Sequence, residues 1–425
     1  MTPRVRQIVL QLYRFTVVCT IVWLVRDLAV RQRTQGDSPI SVDEIKGLVP
    51  AAADLRPDSS ERDGLFVLDA QGRELGYVVR TQPQCRDILG YSGVTDALIV
   101  LDPEWKILGL KIHASEDTRE HVHDMEIDRR FLKKWNGLTW EGAATLDLRE
   151  AGIEGVSGAT MTSMAVAQSV KARLQMSRGE IAARPSLRFG WRDAGMVAVL
   201  AAAGAMAFGK LTWRQRWRRP YQVALIVYVG FVSGDLLAQT LLAGWSRSGV
   251  PWSTAPGLVL LAAAALIVPW VTRSPLYCHH ICPHGAAQEL IGWLRPQRWT
   301  VSFPASVVRG LEYLPFFLLL LVLIVTMMAV PFDLAGTEPF DAYLIRSAGF
   351  ATLAVAIGGL AVSFFVPQAY CRFGCPTGAV LNFLRRRGST DTFSTRDTAA
   401  FLLVAAALAL HWKYLPLITW VKGVG

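Results

Sequence analysis

Long apolar stretches alternate with short charged segments along most of the chain, and one extended polar region interrupts this pattern near the beginning. A helix needs about 20 apolar residues to cross a hydrocarbon core of ~30 Å, so stretches of roughly that length are candidate membrane spans. Seven such stretches occur, at residues 8–28, 194–211, 221–243, 256–272, 313–331, 347–366 and 398–415. In the first one, Arg14 shortens the unbroken apolar run to the length of a signal-peptide core, but arginine and aspartate follow in place of a small-residue cleavage site. We therefore expect an uncleaved membrane anchor over residues 1–33.

The polar region over residues 34–190 predicts a separate α+β domain. Its centre carries short β-rich runs that are divided by turn residues, whereas its second half has the periodicity of helices. The expected strands lie at residues 64–69, 74–80 and 97–114, the last divided by a DPEW turn, and the expected helices at residues 119–138 and 161–179. The remaining residues, 191–425, predict an all-α membrane bundle of six spans. The fold class is thus an α+β domain joined to a polytopic helical bundle.

Composition and charge agree with a membrane protein and give it an orientation. The chain is 52% hydrophobic and 18% charged, with a mean hydropathy of +0.31. Its net charge of +10 is spread over short segments between spans and does not indicate a nucleic-acid partner. Residues 214–219, 273–309 and 385–387 are basic, whereas residues 243–255 and 332–345 are neutral or acidic. The positive-inside rule then places the basic segments in the cytoplasm and the polar domain outside it.

Two copies of a cysteine motif stand inside the bundle, and each follows an apolar span. YCHHICPHGA at residues 277–286 is repeated as YCRFGCPTGA at 370–379, and the two copies hold four of the six cysteines of the chain. The motif cysteines are Cys278, Cys282, Cys371 and Cys375. Thiolates are soft ligands for iron–sulfur clusters and zinc, which normally take four ligands, and parallel repeats can bring two half-sites together. The alternative is a pair of helix-capping turns whose cysteines act as small hydrophobic residues.

Three histidines lie beside the first cysteine motif. Because the second copy has Arg372, Phe373 and Thr377 at their positions, we expect the histidines to be solvated or interfacial, not ligands. They are His279, His280 and His284.

The segment EGVSGATMTS at residues 154–163 is the second candidate site. As a bare pattern it predicts a capped turn ahead of a helix, whose backbone N–H groups could hold a phosphate. A plain capping role explains the same residues.

SGAT followed by a second threonine or serine resembles the attachment sequence of covalent-flavin domains. This resemblance implies FMN joined through a phosphoester to Thr160 by a flavin transferase, with Ser157, Gly158 and Ala159 as the other motif residues. Glu154 stands where that family usually has aspartate. The stretches YSGVTDALIVLD and ASEDTREHV resemble the body of such domains more loosely and add Thr118 as a residue near the flavin.

The combination of a flavin domain, a polytopic core and two CxxxCP motifs resembles the NosR/NirI family, which is tied to nitrous-oxide and nitrite reduction. It also resembles the related membrane flavoproteins of organohalide respiration. The CxxxCP bundle alone is similar to the quinol-oxidising subunit of periplasmic nitrate reduction. NosR-type proteins usually continue into a ferredoxin-like domain, and because this sequence ends at residue 425 we expect a form without it.

The resemblance implies electron transfer through FMN and a 4Fe-4S cluster to an extracytoplasmic respiratory reductase or electron carrier. The flavin domain would be periplasmic and the CxxxCP motifs cytoplasmic, in the inner membrane of a bacterium. The alternatives are a redox-sensing regulator and an assembly factor for an extracytoplasmic metalloenzyme such as nitrous-oxide reductase. No pattern for hydrolysis occurs in the sequence.

Electron transfer across the membrane needs an intermediate carrier. A bilayer of ~30 Å is too thick for one tunnelling step between a flavin outside and a cluster at the cytoplasmic rim. A quinone in the bundle, a further cofactor or a movement of the flavin domain would have to bridge it. Asp235, inside the third apolar stretch, is a candidate for proton uptake from a quinol or for packing against a neighbouring helix.

Overall fold

The computed structural model describes residues 3–34, 39–176, 180–183, 185–187, 189–301, 303–330, 332–344, 348–388 and 391–423. The chain forms two compact units. One contains residues 33–188 and 248–254, and the other contains residues 1–32, 189–247 and 255–425.

The regular elements are numbered here in chain order. The strands are β1 Asp54–Pro57, β2 Leu65–Leu68, β3 Glu74–Arg80, β4 Thr95–Leu101 and β5 Ile107–Ser115. The first helices are α1 Pro3–Thr34, α2 Val42–Ile45, α3 Arg119–Ile127, α4 Arg129–Lys133, α5 Trp140–Thr145 and α6 Thr160–Gln175. The later helices are α7 Trp191–Phe208, α8 Leu211–Leu225, α9 Gln239–Ser248, α10 Pro256–Val271, α11 Leu276–His280, α12 Pro283–Leu294, α13 Ala305–Leu311, α14 Leu314–Met328, α15 Phe350–Phe365, α16 Pro376–Leu384 and α17 Thr395–Gly423.

The smaller unit is an α+β domain built on an antiparallel sheet in the order β1-β2-β3-β4-β5. Every residue of β4 is buried because both faces of the sheet are covered. On one face, Ile99 and Leu101 pack with residues of the helices, including Trp135 and Val170. On the other face, Leu98 packs with Ile45 of α2. Alternate side chains of one strand therefore enter two cores.

The strands expected at residues 64–69, 74–80 and 97–114 are confirmed, including the turn that divides the last one. The helix expected at 161–179 is confirmed over residues 160–175, and residues 177–179 lie outside the described part. The single helix expected at 119–138 is wrong, because Asp128 ends α3 and its carboxylate accepts hydrogen bonds from the backbone of Arg130 and Phe131 to begin α4. The short elements β1 and α5 had no prediction.

The larger unit is a helical bundle. Among the described residues, three helical segments are long and apolar enough to cross a membrane, Arg4–Arg33, Trp191–Phe208 and Ala305–Met328. Two shorter apolar helices, Pro256–Val271 and Phe350–Phe365, occupy further predicted spans. The end of the predicted span 313–331 and the first residue of the predicted span 347–366 fall outside the described residues.

The third predicted span, residues 221–243, is not continuous, which corrects the sequence prediction. Helix α8 passes into a π-helical turn, Ile226–Ser233, that ends at Gly234 with φ +72°. The chain is then irregular until α9 begins, and Asp235 lies in this break with its carboxylate hydrogen-bonded to Ser233. Irregular backbone at membrane depth is tolerated where the protein itself satisfies the freed polar groups. The break therefore requires partners within the protein for its free backbone groups.

Arg14, which interrupts the first apolar stretch, is fully buried in α1. Its guanidinium lies 2.7 Å from the carboxylate of Asp391 and 2.9 Å from that of Asp397. These two aspartates lie just before and at the start of α17, so the charged residue ties the first helix to the last one.

Replacing Arg14 with leucine is expected to destabilise the bundle by about 3–5 kcal/mol, because it leaves two buried carboxylates without this partner. Thermal unfolding of the detergent-solubilised protein measures the change. The matched control is Arg31→Leu in the same helix, where the ion pair with Asp27 is largely exposed (59% for the Arg31 side chain) and contributes about 0–1 kcal/mol. Equal effects of the two variants would contradict a structural role for the Arg14 pairs.

Candidate functional site

The expected flavin segment forms a tight turn at the beginning of α6. Ser163 holds this turn, since its hydroxyl donates to the carbonyl of Ala159 at 2.8 Å and accepts from the backbone N–H of Val156 at 2.9 Å. Ala159 caps the helix without a side-chain hydrogen bond, which leaves the first N–H groups of a 16-residue helix for an anion. Thr160 is the first residue of this helix, and its half-buried hydroxyl donates to the carbonyl of Val156 at 3.1 Å. The expected acceptor hydroxyl thus lies beside a natural phosphate position.

Asp117 connects this helix to a glycine-containing loop. Its carboxylate accepts from the Thr162 hydroxyl at 2.6 Å and from the backbone N–H groups of Tyr91 and Ser92, each at 2.9 Å. A Cβ on Gly90 would lie 2.1 Å from the same carboxylate, so the loop requires glycine there. The structure therefore brings residues 90–93, 117–118 and 160–162 together.

Two polar side chains in this region are buried and have no hydrogen-bond partner among the described residues. They are the hydroxyl of Thr118, which is 3% exposed, and both ring nitrogens of His121, which is 2% exposed. The ring of Tyr91 meets His121 edge-on, with ring centroids 4.9 Å apart. Buried polar groups are costly unless they are paired, so these atoms fit a ligand with its own polar groups, as FMN has.

Sequence reasoning found Thr118 and the SGAT segment but missed Asp117, His121 and Gly90 as parts of one site. The signal was present, because Asp117 and His121 lie in the stretch ASEDTREHV and Gly90 directly precedes YSGVT. Only the fold shows that these two stretches meet.

The two cysteine motifs have the same local structure, which explains the shared residues of the repeat. In each copy the second cysteine is the N-cap of a helix that begins at the following proline, as α12 does after Cys282 and α16 after Cys375. The sulfur accepts a backbone N–H from the shared glycine, at 3.5 Å from Gly285 and at 3.1 Å from Gly378. A Cβ on Gly285 would lie 2.8 Å from the carbonyl oxygen of Cys278. The capping interpretation is thus correct for one cysteine of each pair, and it leaves the other cysteine unexplained.

The first motif and its helix lie beside a basic segment. Near its end, α12 pairs Glu289 with Arg218, and Arg219 lies 3.5 Å from the ring centroid of Trp293. Tyr221, two residues after the basic segment 214–219, donates its hydroxyl to the carbonyl of His280 at 2.5 Å, so this basic segment lies beside the first motif.

The break in the third predicted span meets the first motif. The backbone N–H of Leu237 donates to the hydroxyl of Tyr277 at 2.9 Å, and both residues are buried. The shared tyrosine of the first copy therefore satisfies one of the backbone groups that the broken helix leaves free. In the second copy, the buried hydroxyl of Tyr370 has no partner among the described residues, and its ring lies 5.1 Å from that of His284.

A side chain on the helix of the first motif contacts a cysteine of the second motif. The side-chain amide of Gln288, on α12, donates to the sulfur of Cys371 at 3.0 Å. The hydroxyl of Thr377, on α16, donates to Glu338 at 3.1 Å, and Glu338 accepts the backbone N–H of Gln239 at 2.7 Å. Glu338, from the acidic segment, is thus a buried carboxyl in the bundle interior.

Cys282 and Cys375 are buried, and Cys278 and Cys371 are half-buried. Burial raises the pKa of all four, to about 12 for Cys278 and about 11 for Cys371. Charge on Cys371 further raises the pKa of Cys278, Cys282 and Cys375, so it acts on both motifs. Thiols that are difficult to ionise by themselves fit a site where iron supplies the compensating positive charge.

Within the described ranges, no group of three or more His, Cys, Asp or Glu side chains is arranged to hold a single metal ion. A 4Fe-4S cluster makes a different demand, since each thiolate binds its own iron. His279 is exposed, as expected, but His280 and His284 are buried, so the solvated or interfacial position expected for these two is wrong. His284 contacts the Tyr343 hydroxyl at 3.1 Å instead.

Two known sequence families match the flavin segment and the cysteine motifs. The family described as FMN-binding domain matches residues 90–175, and the family described as 4Fe-4S binding domain matches residues 254–302 and 348–391. The first match contains the loop, Asp117 and Thr160, and the second contains both cysteine motifs. The chain thus has apolar helices of membrane-spanning length together with an FMN-binding domain and a 4Fe-4S binding domain.

The chain is similar to three curated proteins. Regulatory protein NosR of Pseudomonas aeruginosa is 31% identical over 183 residues, which are 39% of this chain and 25% of NosR. Protein NirI of Paracoccus denitrificans is 26% identical over 213 residues, or 44% of this chain and 31% of NirI. An uncharacterised protein of Methanocaldococcus jannaschii is 28% identical over 132 residues, or 30% of this chain and 55% of that protein. The chain is therefore similar to NosR and NirI over part of its sequence, and it spans about a quarter to a third of the length of these two proteins. No solved structure matches it.

Proposed function

We propose that this protein passes electrons through covalently bound FMN and one iron–sulfur cluster to an extracytoplasmic respiratory reductase. The main support is the convergence of the two cysteine pairs, which are far apart in sequence but joined by the contact of Gln288 with Cys371. When bound, the cluster exchanges single electrons and the flavin exchanges them singly or in pairs. The protein positions both groups and excludes water from them.

The residues that would hold these groups follow from the site. Cys278, Cys282, Cys371 and Cys375 would bind the cluster, and the glycine N–H groups that donate to Cys282 and Cys375 would stabilise their thiolates. A flavin transferase would attach FMN to Thr160. Ser157, Gly158 and Ala159 would form the turn that presents Thr160, and Thr118 would face the flavin.

The proposed location is the inner membrane of a bacterium, which the chain would cross several times. The basic segments at residues 214–219, 273–309 and 385–387 would be cytoplasmic, and the flavin domain would be periplasmic. The cysteine motifs would enter the bundle from the cytoplasmic side, since their helices end near basic residues such as Arg218.

The electron donor that the bundle fits is a quinol. An apolar cavity of about 210 Å³ lies among α1, α9, α10, α14, α16 and α17, and Ala379 and Val380 of the second motif helix line it. Two of its polar lining groups are Gln239 and Thr326, whose buried hydroxyl has no partner among the described residues. Mostly apolar walls with a few placed polar groups are typical of small-molecule sites.

Oxidation of a quinol releases two electrons and two protons, so the site needs proton acceptors. Glu338 contacts Gln239, which lines the cavity. Glu338 is 1% exposed, so it is a buried carboxyl next to this cavity and one candidate acceptor. Asp235 in the helix break is a second candidate acceptor.

A short-chain quinol added to membranes is expected to reduce the bound flavin of the wild-type protein and not that of Cys371→Ser, because the proposed path leads from the donor through the cluster to the flavin. Flavin absorbance under anaerobic conditions measures this. Cys19→Ser, at an exposed position of α1 outside both motifs, is the matched control and should behave as wild type. Equal flavin reduction in Cys371→Ser would contradict the proposed path.

NosR is named as a regulatory protein, which favours a second candidate function, namely a redox-sensing regulator or an assembly factor. Thr160→Ala separates an assembly factor from an electron-transfer protein. An assembly factor would support a functional partner enzyme without the flavin, whereas an electron-transfer protein would not.

A further inference from the structure

Gln288 is the residue through which the first motif helix contacts a cysteine of the second motif. It is 1% exposed. Its Nε2 donates to the sulfur of Cys371 at 3.0 Å and to the carbonyl of His284 at 3.3 Å. Its Oε1 accepts the backbone N–H of Cys371 at 3.4 Å and faces the hydroxyl of Ser363 at 2.8 Å.

These contacts fix which end of the amide faces the sulfur. The backbone N–H of Cys371 can only donate, so it requires the oxygen of Gln288 on its side. The carbonyl of His284 can only accept, so it requires the nitrogen. Gln288 therefore presents an N–H group to the sulfur of Cys371.

The repeat shows that this contact exists on one side only. Cys278 corresponds to Cys371 and Gly285 to Gly378, so Gln288 corresponds to Leu381. Leu381 is also buried, at 3% exposed, but it has no polar atom. The amide contact that Cys371 receives thus has no counterpart at Cys278.

An N–H group directed at a cysteine sulfur stabilises added negative charge, and this effect is larger in a buried site of low dielectric. A reduced cluster carries one more negative charge than an oxidised one. Hydrogen bonds to the sulfurs accordingly raise the reduction potential of a cluster.

Building on the proposed function, we propose that Gln288 is a positioning residue that sets the reduction potential of the cluster through its hydrogen bond to Cys371. It would also make Cys371 distinct from the other three cysteines as a ligand. The two halves of the repeat then provide the same cysteine ligands, but only one half provides an amide N–H group to a sulfur.

The test is a redox titration of the purified, anaerobically isolated protein, followed by EPR of the reduced cluster. Gln288→Met keeps the length of the side chain and removes the N–H group, and Gln288→Leu copies the residue of the second repeat. Both variants are expected to shift the reduction equilibrium about tenfold toward the oxidised form, which is ~59 mV for one electron. Ser363→Ala, which leaves the N–H contact in place, is the control and should titrate close to wild type.

An intact EPR signal with the wild-type potential in both Gln288 variants would overturn the inference. Loss of the signal in both folded variants would also overturn it, since Gln288 would then retain the cluster and not tune it. If wild-type protein itself gives no iron–sulfur signal, the proposed function fails, and the two failures are thereby distinguishable.

Discussion

Thr160→Ala is expected to abolish covalent flavin attachment, so that the denatured protein loses its flavin fluorescence in a gel. Thr160 is the first residue of α6, its hydroxyl is half-buried, and the uncapped N-terminus of the helix provides N–H groups for the phosphate. The protein must be produced in cells that possess a flavin transferase. The expected change is complete loss of the signal, because a phosphoester cannot form on alanine.

A neighbouring threonine provides the matched control. The hydroxyl of Thr162 is committed to Asp117 at 2.6 Å, and this residue is 1% exposed, so Thr162→Ala should keep the covalent flavin. Thr160→Ser, which keeps a hydroxyl, should retain part of the label. Persistence of wild-type fluorescence in Thr160→Ala, or an FMN-modified peptide without Thr160 in mass spectrometry, would refute the assignment.

The second large effect is expected from single Cys→Ser substitutions in the two motifs. Each of the four variants, at Cys278, Cys282, Cys371 or Cys375, should lose the EPR signal of the reduced cluster, because the four thiolates share one group. Serine oxygen is a harder ligand than thiolate and suits iron–sulfur clusters poorly.

The pattern across the four variants is more informative than any one of them. Cys19→Ser should leave the signal unchanged. If the variants of the first motif removed one signal and those of the second removed another, the motifs would be two independent sites. That result would contradict a shared cluster even though every cysteine was important.

The sequence predicted much of the flavin domain because its signals are local. Strands β3, β4 and β5 follow from short β-rich runs, and the DPEW turn divides the last two. The SGAT segment lies directly before a recognisable helix. Asp117 could not be assigned a role, since its partners Tyr91 and Thr162 are distant in the chain and meet only through the sheet.

The sequence predicted the helical bundle less completely than the flavin domain. Apolar length found most of its helices, but length cannot show that residues 234–238 leave the helix, because Leu236 and Leu237 are as apolar as any span residue. The acidic segment containing Glu338 was used as a sign of the outer face, yet Glu338 is buried against Thr377. Topology follows the positions of Lys and Arg more closely than those of Asp and Glu.

The cysteine repeat was the strongest signal in the chain, and four of its shared residues now have a local reason. Proline begins the helix, glycine approaches a carbonyl, the second cysteine caps the helix, and tyrosine binds backbone in the first copy. What the repeat concealed is its asymmetry. Gln288 and Leu381 occupy equivalent positions, and only the three-dimensional contact with Cys371 shows that the difference matters.

Native mass spectrometry of the intact protein, isolated without oxygen, tests the central claim most directly. One polypeptide carrying one 4Fe-4S cluster and one FMN is the result that we predict. A chain that carries zinc, or a separate metal at each cysteine pair, would contradict it.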